Sequence, residues 1–253
     1  MAPYRRFEAV AIKKLKIKLV QSDSGELPLL NRSQSTMRSG ITEALRLRII
    51  DGTFSPGIRI SEDWVAREMG VSRGPVRESI RELENEGLLM VLPYRGTFVN
   101  EISTLELRNT LIPIRLILEK QACAVALPNM TEENFQFLAG IVDEMRVVAK
   151  KKDHDTLVKL VELDVQYHQY IMNLSEQYHA IQLWNNIQPR IRVGFYRLGL
   201  RHNDFQEITA EHDKLLEALR SKNPKIVFPA LEHHICTDQF RLLDRIESEK
   251  VKA

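Results

Sequence analysis

The punctuation of residues 41–99 constrains the fold more than any other feature. A helical stretch from Ile41 gives way to Pro56-Gly57, and a short second helix stops at Gly70-Val71. Ser72-Arg73-Gly74-Pro75-Val76-Arg77-Glu78-Ser79 then opens another helix, with a serine placed to cap orphan amides. Its proline falls in the first turn, where a missing N–H breaks no intrahelical bond. Gly87 ends that helix. Residues 88–92 and 97–99 read as two short strands joined through Pro93-Tyr94-Arg95-Gly96. This order predicts a winged helix-turn-helix whose serine-led helix suits a DNA major groove.

Within the serine-led helix, Val76, Ile80 and Leu83 form one apolar stripe, and Arg73, Arg77 and Arg81 follow at i+4 spacing on another face. Planar guanidiniums there can fork onto guanine O6/N7 or onto phosphate, and the Ser72 hydroxyl leads the same helix end. Arg95 is expected at the wing tip, with Gly96 letting the backbone approach a duplex. The alternative is a protein-interaction module with a solvated arginine face, since residues 41–100 hold eight Arg against nine Asp/Glu. Distribution favours DNA: Glu82, Glu84 and Glu86 lie at the far end of the helix that the arginines lead.

With 253 residues, 43% of them hydrophobic, the chain has material for two cored domains. No run of about 18 apolar residues predicts a membrane span, and the first residues lack a secretory h-region, so a cytoplasmic location is expected. Cys123 and Cys236 form no C-x2-C pair and read as core thiols. Residues 1–40 carry eight Lys/Arg against three Asp/Glu. Residues 1–38 are therefore read as a basic arm, a solubilising tail with phosphate contact as the alternative. The winged helix-turn-helix takes 39–101 and a second domain takes 103–247, with Thr104 as a candidate cap at its start.

The second domain is helical nearly throughout, with breaks at Pro128-Asn129, near Asp153, around Ser175, after Gly199 and at Asn223-Pro224, and a kink expected at Pro189. The fold class is mainly α, a winged helix-turn-helix followed by an all-α bundle. In that bundle Asp164 and His168 are four apart and share a helix face, while His212 and His234 come from later helices. One carboxylate and three imidazoles form an N/O set suited to Zn, Ni, Mn or Fe. Satisfied core histidines would give the same spacing. His234, three residues after Leu231, belongs to the buried face that His233 misses.

Gly52-x3-Pro56-Gly57, Ser61-Glu62, the Gly70 to Glu78 run, Leu83-x2-Glu86-Gly87-Leu88 and Gly96-x2-Val99 together resemble the DNA-binding domain of GntR-family bacterial transcription regulators. The resemblance implies a homodimer with one winged helix on each half-site of a double-stranded operator. Arg73, Arg77, Arg95 and Gly96 match the family's contacts to bases and groove. One departure is Asp63, where some members carry a DNA-contacting arginine.

Residues 103–245 resemble the FCD ligand-binding domain of the FadR subfamily. Arg115-x2-Leu118-Glu119, Asp164-x2-Tyr167-His168-x2-Ile171, Glu211-His212-x2-Leu215-x2-Ala218-Leu219 and Leu231-x2-His234-Ile235 carry that likeness. It implies a divalent metal on Asp164, His168, His212 and His234, which argues against a fatty-acyl ligand. It also places Arg115 in an effector cavity, where its guanidinium can fork onto a carboxylate; an internal salt bridge to Glu119 is the alternative. Arg190, Arg192 and Arg197 are further candidates for that cavity.

The expected protein is a homodimeric, metal-containing regulator that senses a small carboxylate and, as is commoner in the family, represses until the ligand binds. In one rival reading the metal itself is the signal. In another, a metal-dependent hydrolase is fused to a DNA-binding domain. H-E-x-x-H does not occur, and no enzyme is expected.

Overall fold

The computed structural model describes residues 34–151, 154–200 and 204–252, in two compact units that divide between Glu101 and Ile102. Most of the basic arm, residues 1–33, and the break expected near Asp153 lie outside the described residues.

The first unit contains α1 (Gln34–Ile50), β1 (Arg59–Ile60), α2 (Glu62–Glu68), α3 (Arg73–Asn85), β2 (Leu89–Leu92) and β3 (Gly96–Val99). Helix α1 starts at Gln34, five residues before the expected domain start at 39. Ile41, Leu45 and Ile49 of α1 and Val76, Ile80 and Leu83 of α3 are buried at the i+3 and i+4 spacings of apolar helix faces. Polar ties fix their register. Arg46 Nη2 lies 2.6 Å from Glu86 Oε1, Thr42 donates to Glu82 at 3.1 Å, and the Ser79 hydroxyl donates to the Arg38 carbonyl at 3.1 Å. Glu82 and Glu86 thus serve the α1–α3 contact.

The wing is a three-stranded antiparallel sheet in the order β1-β3-β2, with Leu89 opposite Val99, Leu92 opposite Gly96, and Arg59 opposite Phe98. Two expectations change here. The hairpin strands run from Leu89 and from Gly96, and β1 adds a strand that two residues are too few to announce by alternation. Gly96 adopts φ 105°, which favours glycine, and a Cβ there would lie 2.9 Å from Arg59 Nε, so the arginine side chain would have to shift.

The second unit starts with a helical turn (Thr104–Glu106) and a π turn (Leu107–Leu111) leading into α4 (Ile112–Ala126). Then follow α5 (Glu132–Val148), α6 (His154–Leu174), α7 (Tyr178–Gly199), α8 (Gln206–Arg220), α9 (Pro224–Glu232), a second π turn (His233–Thr237) and α10 (Asp238–Lys252). Ser103, not Thr104, caps the first turn, accepting from the Glu106 amide at 3.0 Å. Asn223 caps α9 with Pro224 at its first position. Helix α7 continues through Pro189 without interruption.

Helix α6 packs against α4, α5 and α7, and glycine lets α7 come close. A Cβ on Gly199 would lie 2.4 Å from Leu157 Cδ1 of α6, and one on Gly194 2.4 Å from Leu107 Cδ2. Along α6, Leu160, Asp164, His168 and Ile171 face inward, carrying two chemical groups within an apolar stripe. Among the described residues, no helix is long and apolar enough to cross a membrane.

Candidate functional site

In the second unit Asp164 and His168 from α6, His212 from α8 and His234 from the second π turn converge. One ligand atom from each lies within 4.8 Å of the others. His168 and His212 are at most 1% exposed, Asp164 8% and His234 9%, so the group is shut away from bulk solvent. His233 points outward beside Glu211, as the face argument expects.

The hydrogen bonds around the cluster dictate tautomers. His212 Nδ1 donates to the Ile208 carbonyl at 2.8 Å, which leaves Nε2 as a lone-pair donor 3.3 Å from Asp164 Oδ1. His168 Nδ1 donates to Glu119 Oε2 at 2.5 Å, which turns its Nε2 inward too. That Nε2 meets His234 Nε2 at 3.0 Å. His212 Nε2, His234 Nδ1 and Asp164 Oδ2 are buried without hydrogen-bond partners. Lone pairs facing one another in a dry interior repel unless a proton or a cation lies between them. The donor set, its burial and its orphan atoms fit a divalent ion with N/O preference. Cys123 is not part of the cluster, and burial with the nearby Glu119 carboxylate pushes its thiol up to about 12.

Electrostatics keep the group in ligand-ready form. Burial lowers the His168 and His234 pKa values from the usual imidazole range, and at His234 the neighbouring His212 and His168 add to it. Burial opposes the charge on Asp164 and Glu119, yet Arg115 outweighs it with help from His168 and holds both carboxyls below their ordinary values.

Arg115 is 1% exposed. Its Nε donates to Glu119 Oε1 at 2.6 Å, so the internal salt bridge is present. Its Nη2 lies 3.5 Å from Asp164 Oδ2, close enough for an ion pair but out of hydrogen-bond geometry, and it has no hydrogen-bond partner. The guanidinium also sits 4.7 Å from the Phe195 ring centre and 5.7 Å from that of Trp184. Arg115 is thus half engaged. Glu119 holds Arg115 with one oxygen and His168 with the other, a role that sequence reasoning missed. The i+4 spacing to Arg115 signalled only the first bond. Arg197 donates to the Ile102 carbonyl at 2.5 Å and Arg192 lies 3.7 Å from Glu162. A cavity of about 50 Å³ adjoins Asp164.

In the first unit Arg73, Arg77 and Arg81 all project from α3 into solvent. Each has an acidic neighbour: Arg73 lies 2.7 Å from Asp63, Arg77 3.2 Å from Glu62 and Arg81 3.0 Å from Glu78. Such exposed pairs are weak and exchange readily for phosphate. Ser72 occupies the cap position at φ −76°, ψ 162°, but its side chain makes no cap bond. Ser72 is exposed, so water can serve the orphan amides of the first turn. At the wing, Tyr94 occupies the tip at φ 62°, with Arg95 exposed beside it. Arg59, on the strand that the sequence did not announce, covers Gly96.

Residues 37–99 match the family of bacterial regulatory proteins called gntR, and residues 110–237 match the FCD domain. The chain is 26% identical to the gluconate operon transcriptional repressor of Bacillus licheniformis, over 88% of this chain and 91% of that one. It is 30% identical to an HTH-type transcriptional regulator from an unstable DNA locus of Streptomyces ambofaciens, over 79% of this chain and 82% of that one. Among solved structures, E. coli McbR/YncC superposes with a TM-score of 0.71 at 20% identity, covering 86% of this chain and all of that one, a likeness of fold.

Proposed function

This chain belongs to the GntR family of bacterial regulators and carries an FCD domain, and from that premise we propose a metal-containing repressor whose grip on its operator is set by a small carboxylate. That it is a transcription regulator follows from the family, whose members are regulators and not enzymes. The finer reading is a cytoplasmic homodimer that lays one α3 on each half-site. Arg73, Arg77 and Arg95 reach bases and groove, Ser72 and Arg81 reach phosphate, and Gly96 permits close approach. Relatives named as repressors support the sign of the response.

In the second unit, Asp164, His168, His212 and His234 would hold a divalent metal, one of Zn, Ni, Mn or Fe. Bound there, the ion supplies Lewis acidity for a carboxylate oxygen. Arg115 Nη2 would take the ligand's other oxygen, while Glu119 holds the guanidinium and the His168 ring together. The observation that carries this reading is the convergence of buried, partnerless ligand atoms beside a half-engaged arginine. The adjoining cavity favours an organic ligand over the metal as the signal. Metal analysis and thermal melting of the full chain test it. We expect one ion per chain, lost in Asp164→Ala, and a melting shift by carboxylates that chelation abolishes. Metal-free protein with an unchanged carboxylate response would contradict it.

A further inference from the structure

The cavity beside Asp164 has a composition that selects among carboxylates. Leu157, Leu160 and Val161 of α6 form one side, and Phe195 and Leu198 of α7 the other. The polar groups reaching it are Asp164 and Gln239. Each carries a buried side-chain oxygen with no hydrogen-bond partner, Asp164 Oδ2 and Gln239 Oε1. Gln239 comes from the start of α10, five residues after His234. A π turn, His233–Thr237, separates them. At about 50 Å³ the space admits roughly three to five water-sized groups.

We propose that this cavity holds the chain of a short aliphatic carboxylate, and that Gln239 Oε1 accepts a hydrogen bond from a single donor on that chain. The inference rests on the reading of the Asp164 cluster and Arg115 as the effector site. Asp164 belongs both to the cavity wall and to the proposed metal group, and Phe195 of the wall packs on the Arg115 guanidinium, so a carboxylate held at the metal would direct its chain between α6 and α7. Those walls offer no partner to a row of hydroxyls, and each hydroxyl buried there stays unsatisfied. The site therefore favours a three- or four-carbon acid with one hydroxyl and rejects a six-carbon polyhydroxy acid. Its chemistry parts from that of gluconate, although a gluconate operon repressor is among its relatives.

The test is a calorimetric titration of the metal-loaded full chain with acetate, butanoate, the 2-, 3- and 4-hydroxybutanoates and gluconate. It is repeated on Gln239→Leu, whose melting temperature and metal content are compared with wild type. We expect butanoate to bind more tightly than acetate, and one hydroxybutanoate to exceed butanoate by about tenfold. Gluconate should be the weakest of the longer acids, and Gln239→Leu should erase the hydroxyl's gain while leaving butanoate unchanged. Binding of gluconate as tight as that of butanoate overturns the proposal, as does a ranking insensitive to Gln239→Leu. Carboxylates that bind without regard to chain defeat only this inference. Failure of every acid to bind the metal-loaded chain defeats the effector reading with it.

Discussion

His168 Nδ1 and Glu119 Oε2 stand 2.5 Å apart in a solvent-free interior, while the other oxygen of Glu119 takes Arg115 Nε at 2.6 Å. One carboxylate on α4 thereby sets the tautomer of a candidate ligand and the aim of a candidate effector-binding guanidinium. Glu119→Gln keeps the shape but replaces the charge-assisted acceptor. We expect metal affinity to fall about 10- to 100-fold, together with weaker carboxylate binding, measured by competition with a chelating dye. Unchanged affinity would remove Glu119 from the proposed site.

Arg115→Met tests the other end of the bridge. It retains packing against Phe195 and Trp184 but leaves no cation for Glu119 or a ligand. Metal content should persist while carboxylate binding falls by about 1.5 to 3 kcal/mol, the worth of a charge-assisted bond. Trp184, whose ring centre lies 5.7 Å from the Arg115 guanidinium, gives the fluorescence readout of ligand binding.

The metal-free chain should lose stability as pH falls. His168 and His234 have pKa values lowered from 6.5 chiefly by burial; Glu119 and Asp164 favour the charged form of His168 against Arg115, while at His234 the His212 and His168 rings add to the lowering and Asp164 opposes it. Between those lowered values and 6.5 the unfolded chain binds more protons, so stability is full above 6.5 and declines below it. Urea midpoints at pH 7.5, 6.5 and 5.5 measure this, and a flat profile over that range would count against a neutral buried cluster. With metal bound the decline should be steeper, because protons and metal compete for the same nitrogens.

On the DNA side, Arg77→Ala should weaken specific operator binding by about 1–3 kcal/mol and relax base preference, whereas Arg81→Ala should weaken all duplexes alike and flatten the salt dependence. Anisotropy titrations across a salt series separate the two. Intact operator affinity in Arg77→Ala would displace α3 from the role of recognition helix. Gly96→Ala should destabilise the wing by about 1–3 kcal/mol, since alanine meets both a positive φ and the Arg59 side chain.

Much of this architecture was legible because local chemistry announced it. Gly70, Ser72, Pro75 and Gly87 mark the ends of α2 and α3, and the i+4 pair Asp164–His168 and the Leu231–His234 face pointed inward before any coordinates. What escaped depended on through-space meetings. Glu119 joins Arg115 to His168 only because α4 packs on α6, and β1 exists only because β3 gives its two residues a partner. Ser72 and Thr104 were misjudged for a related reason. Sequence names residues able to cap, but solvent exposure and one residue of register decide which hydroxyl makes the bond. Gln239 gave no signal, because a π turn shifts it out of α-helical register.

The most direct test is an operator titration with the full chain in three forms: metal-loaded, chelated, and Asp164→Ala, each with and without the best-binding carboxylate. The account predicts that the acid weakens operator binding about 5- to 150-fold in the metal-loaded chain alone. An equal response in all three forms, or none in the loaded chain, would contradict it.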